Sequence, residues 1–362
     1  MAEQISVNRT VTPNEAKKSI RKCIKIKRPV FMWGPPGIGK SDIVKQIGDE
    51  QNRPVIDVRL SLWEPTDIKG IPYYNSTINA MSWAPPSELP TDPDSNAILF
   101  LDELNSAAPA TQAAAYQLIL NRRVGTYQLP TGVSIVAAGN RETDKGVTYR
   151  MPAPLANRFM HLELKTSFED WLFWATANNI HEQVVGYISF AKQDLYNFDP
   201  KSPSRSFATP RTWSFVSDLL HDDDLDDNTL TDLVSGAVGE GLAVKFMAHR
   251  KVAKQMPQPE DILSGKITKC SIKEISAMYS LSISLCYELK DADEKNVKDW
   301  NKMADNFFRF LMDNFPTELA VMAARIALVG YNLPFDNSKL KNFDEFHDKY
   351  GKYIIMAMDQ PF

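Results

Sequence analysis

The stretch that most constrains this chain is Gly34-Pro35-Pro36-Gly37-Ile38-Gly39-Lys40-Ser41, the pattern G-x-x-x-x-G-K-S. It is preceded by Val30-Phe31-Met32-Trp33, a continuous apolar run of strand length, and followed by Lys40–Asp49, whose apolar residues recur at helical spacing. Strand, glycine-rich turn and helix in that order are the context of a phosphate-binding loop. The glycines let backbone N–H groups turn inward towards phosphate oxygens. The helix that follows points its positive end at the same place. Lys40 would reach the outer phosphates of a nucleotide, and the Ser41 hydroxyl would hold Mg²⁺. A glycine-rich turn with a coincidental lysine would need neither flanking element.

More short apolar runs follow at Val55–Leu60, Ala97–Leu101, Ser134–Ala138 and His161–Leu164, with helical segments such as Pro109–Asn121 between them. Asn14–Lys25 reads as a basic helix behind a Thr12-Pro13 start signal. Strands alternating with helices predict an α/β layer around a five-stranded, mostly parallel sheet. After Leu164 the strand signal stops. Phe168–Asn178, Val184–Leu195, Arg211–Leu220, Leu230–His249, Ile272–Leu289, Val297–Asn314 and Glu318–Val329 read as helices, and Lys201–Pro210 as a loop. The expected division is an α/β core over 1–165, a helical lid over 166–265 and a helical C-terminal extension over 266–362. The acidic run Asp222–Asp227 reads as a solvated turn between helices.

The third apolar run, Ala97–Leu101, ends in Asp102-Glu103. Both carboxylates therefore fall at the C-terminal end of a parallel strand, the edge where open α/β sheets bind ligands. Asp102 suits a place beside Mg²⁺, and Glu103 suits the base that activates a water. An apolar strand ending in acids is a weak signal alone and a strong one behind a phosphate loop. Asn140 ends the fourth run, where it would orient the water or contact the outer phosphate.

Taken in order, GPPGIGKS, FLDELN, AAGN and GVTYRMPAPLANRF resemble the AAA+ superfamily, and more narrowly its MoxR-like branch. Glu64–Gly70, Asp102–Ala107 with Gln112, and Gly146 and Tyr149 ahead of Met151–Phe159 carry the narrower resemblance, which extends over about residues 10–265, where Gln258–Gly265 resembles the end of the lid. It implies an ATPase that uses Mg²⁺. Gly34 to Asp42, namely Gly34, Pro35, Pro36, Gly37, Ile38, Gly39, Lys40, Ser41 and Asp42, would bind ATP. Asp102 and Ser41 would hold the metal. Lys40, Glu103 and Asn140 would be catalytic. Arg158 matches an arginine finger that enters a neighbouring subunit's site, and Arg211 the nucleotide-sensing arginine of the lid. The branch usually carries Glu where this chain has Ala153 and Asp where it has Asn157. A finger supplied in trans implies a head-to-tail ring, which closes only under cyclic symmetry, and the family expectation is a hexamer. The segment Ile5–Thr12 would contribute to the adenine pocket.

The resemblance implies work on a protein partner, with proteins bearing a von Willebrand factor A domain as frequent companions. A motor acting on nucleic acid and a nucleotide-gated scaffold with little turnover stand as alternatives. The formal net charge of −4 argues mildly against the motor. The insert Leu62–Asn96 is predicted to hold a hairpin around Ile71–Trp83, and a second hairpin is expected at Arg122–Tyr127. Cys23, Cys270 and Cys286 are too few and too scattered for a disulfide framework and suit a reducing compartment. With a polar N-terminal stretch and no apolar run of membrane-spanning length, a cytoplasmic location without membrane insertion is expected.

Overall fold

The computed structural model describes residues 9–144, 148–222, 225–271, 273–336 and 338–358. Two units are present, Met1–Thr166 and Ser167–Phe362.

The first unit is built on a parallel sheet. Its strands are β1 (Thr10–Val11), β2 (Val30–Trp33), β3 (Val55–Arg59), β6 (Ile98–Asp102), β9 (Ser134–Gly139) and β10 (Met160–Leu164), in the order β1-β10-β2-β9-β6-β3. All neighbours run parallel. The expected sheet had five strands; the sixth, β1, pairs Thr10 with Glu163 and Val11 with Leu164 at the edge. Two residues are too few to show a period in sequence. β6 and β9 are buried along their whole length, which is why they read as unbroken apolar runs.

Helices α1 (Pro13–Lys25), α2 (Lys40–Glu50), α3 (Pro65–Lys69), α4 (Pro109–Asn121) and α5 (Ala153–Ala156) complete this unit. Thr12 and Glu15 form a capping box on α1, and Ala16, Ile20 and Ile24 are its buried stripe. The first predicted hairpin forms from β4 (Ile71–Asn75) and β5 (Ala80–Ala84), with Tyr74 opposite Met81. The second forms from β7 (Arg123–Val124) and β8 (Tyr127–Gln128). Thr126 donates its hydroxyl to the Trp83 carbonyl at 3.0 Å, joining the two hairpins.

The second unit is helical: α6 (Phe168–Ala177), α7 (Glu182–Phe190), α8 (Pro210–Leu220), α9 (Asp227–Val238), α10 (Glu240–Ala253), α11 (Pro259–Leu263), α12 (Ile275–Glu294), α13 (Trp300–Asn314), α14 (Thr317–Arg325) and α15 (Lys341–Met358). Its helices on both sides of residue 265 share one hydrophobic cluster, from Trp171 and Trp213 to Phe308 and Phe346. Gly186 brings α7 against α12: a Cβ there would stand 2.7 Å from the Ser280 hydroxyl oxygen. The single helix expected over Leu230–His249 is two, broken at Gly239, whose φ of 94° only glycine adopts readily. The acidic run supplies the cap of α9, where Asp226 accepts from the N–H groups of Asn228 and Thr229. Of its other residues, 223 and 224 lie outside the described residues. No described helix is long and apolar enough to cross a membrane.

Cys286 is wholly buried on α12, and burial pushes its thiol well above the ordinary range. Cys23 and Cys270 are partly exposed. A thiol-reactive probe is therefore expected to spare Cys286 in the native protein and to label it only once α12 unfolds, because the thiolate is the reacting form. Labelling of Cys286 at the rate of the exposed thiols would contradict this packing.

Candidate active site

The loop after β2 turns with Gly37 and Gly39 at φ values of 76° and 88°. Gly39 stands at the N-cap of α2 and brings no side chain of its own to the amides of the first turn. Lys40, at the start of α2, folds back across the loop. Its ammonium donates to the carbonyls of Gly34 at 2.6 Å and Pro35 at 3.0 Å, and to the Asn140 side-chain oxygen at 3.0 Å. The contact with Asn140 joins residues a hundred positions apart, made neighbours because β2 pairs with β9.

One residue on, the Ser41 hydroxyl donates to Asp102 Oδ2 at 3.1 Å. Asp102 is buried at the C-terminal end of β6. Its other oxygen accepts the Glu103 N–H at 2.9 Å. Glu103 holds a left-handed backbone, φ 54° and ψ 33°. Such a conformation costs a non-glycine residue about 1–3 kcal/mol and tends to occur where geometry serves a site. Its carboxylate accepts a hydrogen bond from the Ser61 hydroxyl.

Two residues with no role assigned from the sequence shape this centre: Ser61, and Asn105 inside the FLDELN motif. Asn105 is buried and donates from Nδ2 to the Asn140 carbonyl at 2.7 Å. A Cβ on Gly139 would lie 2.0 Å from Asn105 Oδ1, so the glycine before Asn140 is what admits this brace. Ser61 lies in the turn after β3, and nothing in its neighbourhood of the sequence singles it out. Asp57 on β3 has its carboxyl raised above the ordinary range by burial and then by the charge of Asp102.

Lys40, Ser41, Asp102, Glu103 and Asn140 are thus brought together at the C-terminal edge of the sheet. Arg158 is not among them. The Met160 N–H donates to the Pro29 carbonyl at 2.9 Å, so Arg158 precedes the N-terminal end of β10. The length of β2, roughly 13 Å at about 3.3 Å per residue, separates that edge from the phosphate loop. Leu155 and Phe159 are buried on either side of it, and Phe159 meets Phe31 edge-on at 5.4 Å. Arg158 itself is exposed. Arg211 lies in the second unit, exposed in the first turn of α8 behind the Thr209 cap. Gly146 and residues 5–8 of the adenine-pocket segment fall outside the described residues.

Comparison with known proteins matches residues 29–159 to the AAA domain of the dynein-related subfamily. The chain is similar to midasin of Giardia intestinalis, 25% identical over 189 residues that make up 49% of this chain and 4% of that protein. The chain therefore spans a small fraction of that relative's length. It is also similar to the solved structure of a RuvB point mutant from Thermotoga maritima, at 17% identity and a TM-score of 0.38, covering 77% of this chain and 86% of that one. NtrX from Brucella abortus in complex with ADP gives 12% identity and a TM-score of 0.38, covering 95% and 70%. The family match spans β2 through Phe159, the interval that holds the phosphate loop, the acidic pair and Asn140. Residues 29–159 of this chain accordingly carry an AAA domain.

Proposed function

We propose that this chain is a Mg²⁺-dependent ATP-hydrolysing subunit of a MoxR-like ring that remodels or assembles a protein partner. The observation that carries the reading is the convergence of Lys40, Ser41, Asp102, Glu103 and Asn140 on one edge, with Arg158 displayed on the other. The residues fit the groups that the reading needs. A hydroxyl and a carboxylate 3.1 Å apart are hard oxygen donors of the kind Mg²⁺ takes. The amides of the first turn of α2 suit phosphate oxygens, and so does the Lys40 ammonium beside the Gly34 and Pro35 carbonyls and the Asn140 side-chain oxygen.

Ser41 and Asp102 would hold Mg²⁺, which when bound would supply positive charge against the charge of the phosphates. Lys40 would hold the β- and γ-phosphates. Glu103, kept in place by Ser61, would take a proton from the attacking water, and Asn140 would orient that water. Arg158 stands too far from its own loop for that site. It would stabilise the transition state of the neighbouring chain, and Arg211 would sense the nucleotide from the helical unit. The ring would be hexameric, and a von Willebrand factor A domain protein is the companion to look for first.

ATP hydrolysis per chain, measured against protein concentration with and without Mg²⁺, tests this. The expected rate rises steeply with concentration and vanishes without the metal, and Lys40→Ala loses binding of a fluorescent ATP analogue. A rate per chain that ignores concentration would remove the ring. Absence of turnover at every concentration would remove the ATPase.

A further inference from the structure

The densest run of positive charge in the sequence is not at the phosphate loop. Residues 17–28 read Lys-Lys-Ser-Ile-Arg-Lys-Cys-Ile-Lys-Ile-Lys-Arg, in a chain whose formal net charge is −4. They form most of α1 and the turn behind it. Ala16, Ile20 and Ile24 face the core, which turns Lys18, Lys22 and Lys25 outward. Lys17 and Arg21 reach across to Glu50 on α2. Lys18, Lys22, Lys25, Lys27 and Arg28 are exposed and make no ion pair among the described residues.

Structural duties do not account for this set. Lys22 and Lys25 favour the negative end of α1, but Lys18, Lys27 and Arg28 lie outside that last turn or past it. Lys27 is the more telling case. The N–H of Arg28 bonds to the Cys23 carbonyl at 2.9 Å and that of Lys27 to the Ile24 carbonyl at 3.1 Å, a Schellman closure. Lys27 occupies its left-handed position, φ 54°, where glycine is the default. Among the described non-glycine residues with positive φ, the others are asparagines except Glu103 and Arg122. Glu103 belongs to the active site, and Arg122 donates to the Pro130 and Val133 carbonyls. Among the described residues Lys27 has no such contact, and it is exposed.

Beside this face runs a groove lined by Arg21, Lys22, Ile24, Lys25, Gln51 and Arg53. The guanidinium of Arg53 donates to the carbonyls of Asn96, Ala97 and Gly132, all neutral acceptors. The region thus presents cations from two elements to an anionic partner. Its composition says which kind. Protein interfaces are depleted in lysine and enriched in aromatics, whereas residues 12–28 are lysine-rich and hold no Phe, Tyr or Trp. Lysine-rich rows without aromatics to stack on bases suit backbone phosphates.

We propose that the exposed face of α1 and the turn at Lys27 and Arg28 bind the phosphate backbone of a nucleic acid without regard to its sequence. The inference stands on the charge and composition of this face, and it does not rest on the ring or on the ATPase site.

Fluorescence anisotropy with two fluorescein-labelled 25-base-pair duplexes of unrelated sequence, over a salt series, tests it. The wild type is expected to bind both alike, with log K falling against log salt by about 0.9 for each phosphate contacted. Lys18→Ala/Lys22→Ala/Lys25→Ala is expected to lower that slope by nearly 3 and weaken binding at least ~10-fold at low salt, with the melting temperature kept. Lys27→Gly gives the second variant. It removes one charge while relaxing the backbone, so binding is expected to weaken while the melting temperature rises. A wild type that ignores both duplexes at 50 mM salt would overturn the proposal. So would a triple variant that binds as tightly as wild type, or labelled poly-glutamate bound in preference to DNA at matched salt, which would give the face to an acidic protein.

Discussion

Arg158→Ala is expected to lower ATP turnover per chain by a factor of about 10³–10⁵, the range found for arginine fingers, with nucleotide binding retained. The physical basis is the separation already described. The arginine projects from the N-terminal edge of the sheet between two buried anchors, Leu155 and Phe159, while Lys40 and Glu103 lie at the C-terminal edge. Truncating an exposed side chain between those anchors leaves the packing of Phe159 on Phe31 intact, so the loss falls on the rate and not on folding. Glu103→Gln is expected to be inactive as well, for the separate reason that an amide cannot accept the water's proton. An equal mixture of the two variants regains part of the activity, because some interfaces then join an intact Arg158 to an intact Glu103. A mixture as dead as its parts, or an active Arg158→Ala, would remove the trans assignment.

The second large effect concerns pH and the helical unit. His249 on α10 is buried, its Nε2 lies 2.7 Å from the Ser280 hydroxyl, and its ring stacks on Phe190. Nδ1 is buried without a hydrogen-bond partner, so a proton added there would place a charge in an apolar setting. Burial lowers its pKa from the ordinary 6.5 to about 4. The folded value lies below the unfolded one, so between pH 6.5 and 4 the unfolded chain takes up a proton that the folded chain does not. Stability is therefore fully present above that window and falls as the pH is lowered through it, by about 2–3 kcal/mol for this group. Urea unfolding at pH 7 and pH 4.5 checks it. His249→Gln, which keeps a polar group within reach of Ser280, is expected to lose that much less stability on acidification than the wild type. Equal losses in both proteins would show that other groups govern the acid limb.

Much of this was legible because local chemistry and fold agree. The phosphate loop, the acid pair closing an apolar strand and Asn140 closing another are each contiguous, and a parallel sheet puts all strand ends of one sense on one edge. What escaped the sequence was of three kinds. β1 is too short to show a period. The break at Gly239 is a single residue inside an otherwise helical pattern, and such a glycine is often tolerated. Ser61 and Asn105 act through contacts across the fold, between residues 42 and 35 positions apart, which no local pattern announces. α15 is different: Phe343, Phe346, Tyr350 and Ile354 recur at helical spacing and are all buried, a signal inside the extension expected to be helical, although no helix is marked there beyond Val329.

The two-edged sheet also bears on inheritance. On the proposed reading each chain is catalyst at one edge and cofactor for its neighbour at the other, and buried strands rather than a hinge connect the two. A Glu103 lesion then silences its own site alone, whereas an Arg158 lesion leaves its own site competent and disables the next. Coexpressed with normal chains, the two alleles would remove equal shares of activity from opposite sides of each defective subunit. A lesion in the shared core, at Phe31 for instance, would remove both shares together and so act more dominantly than either.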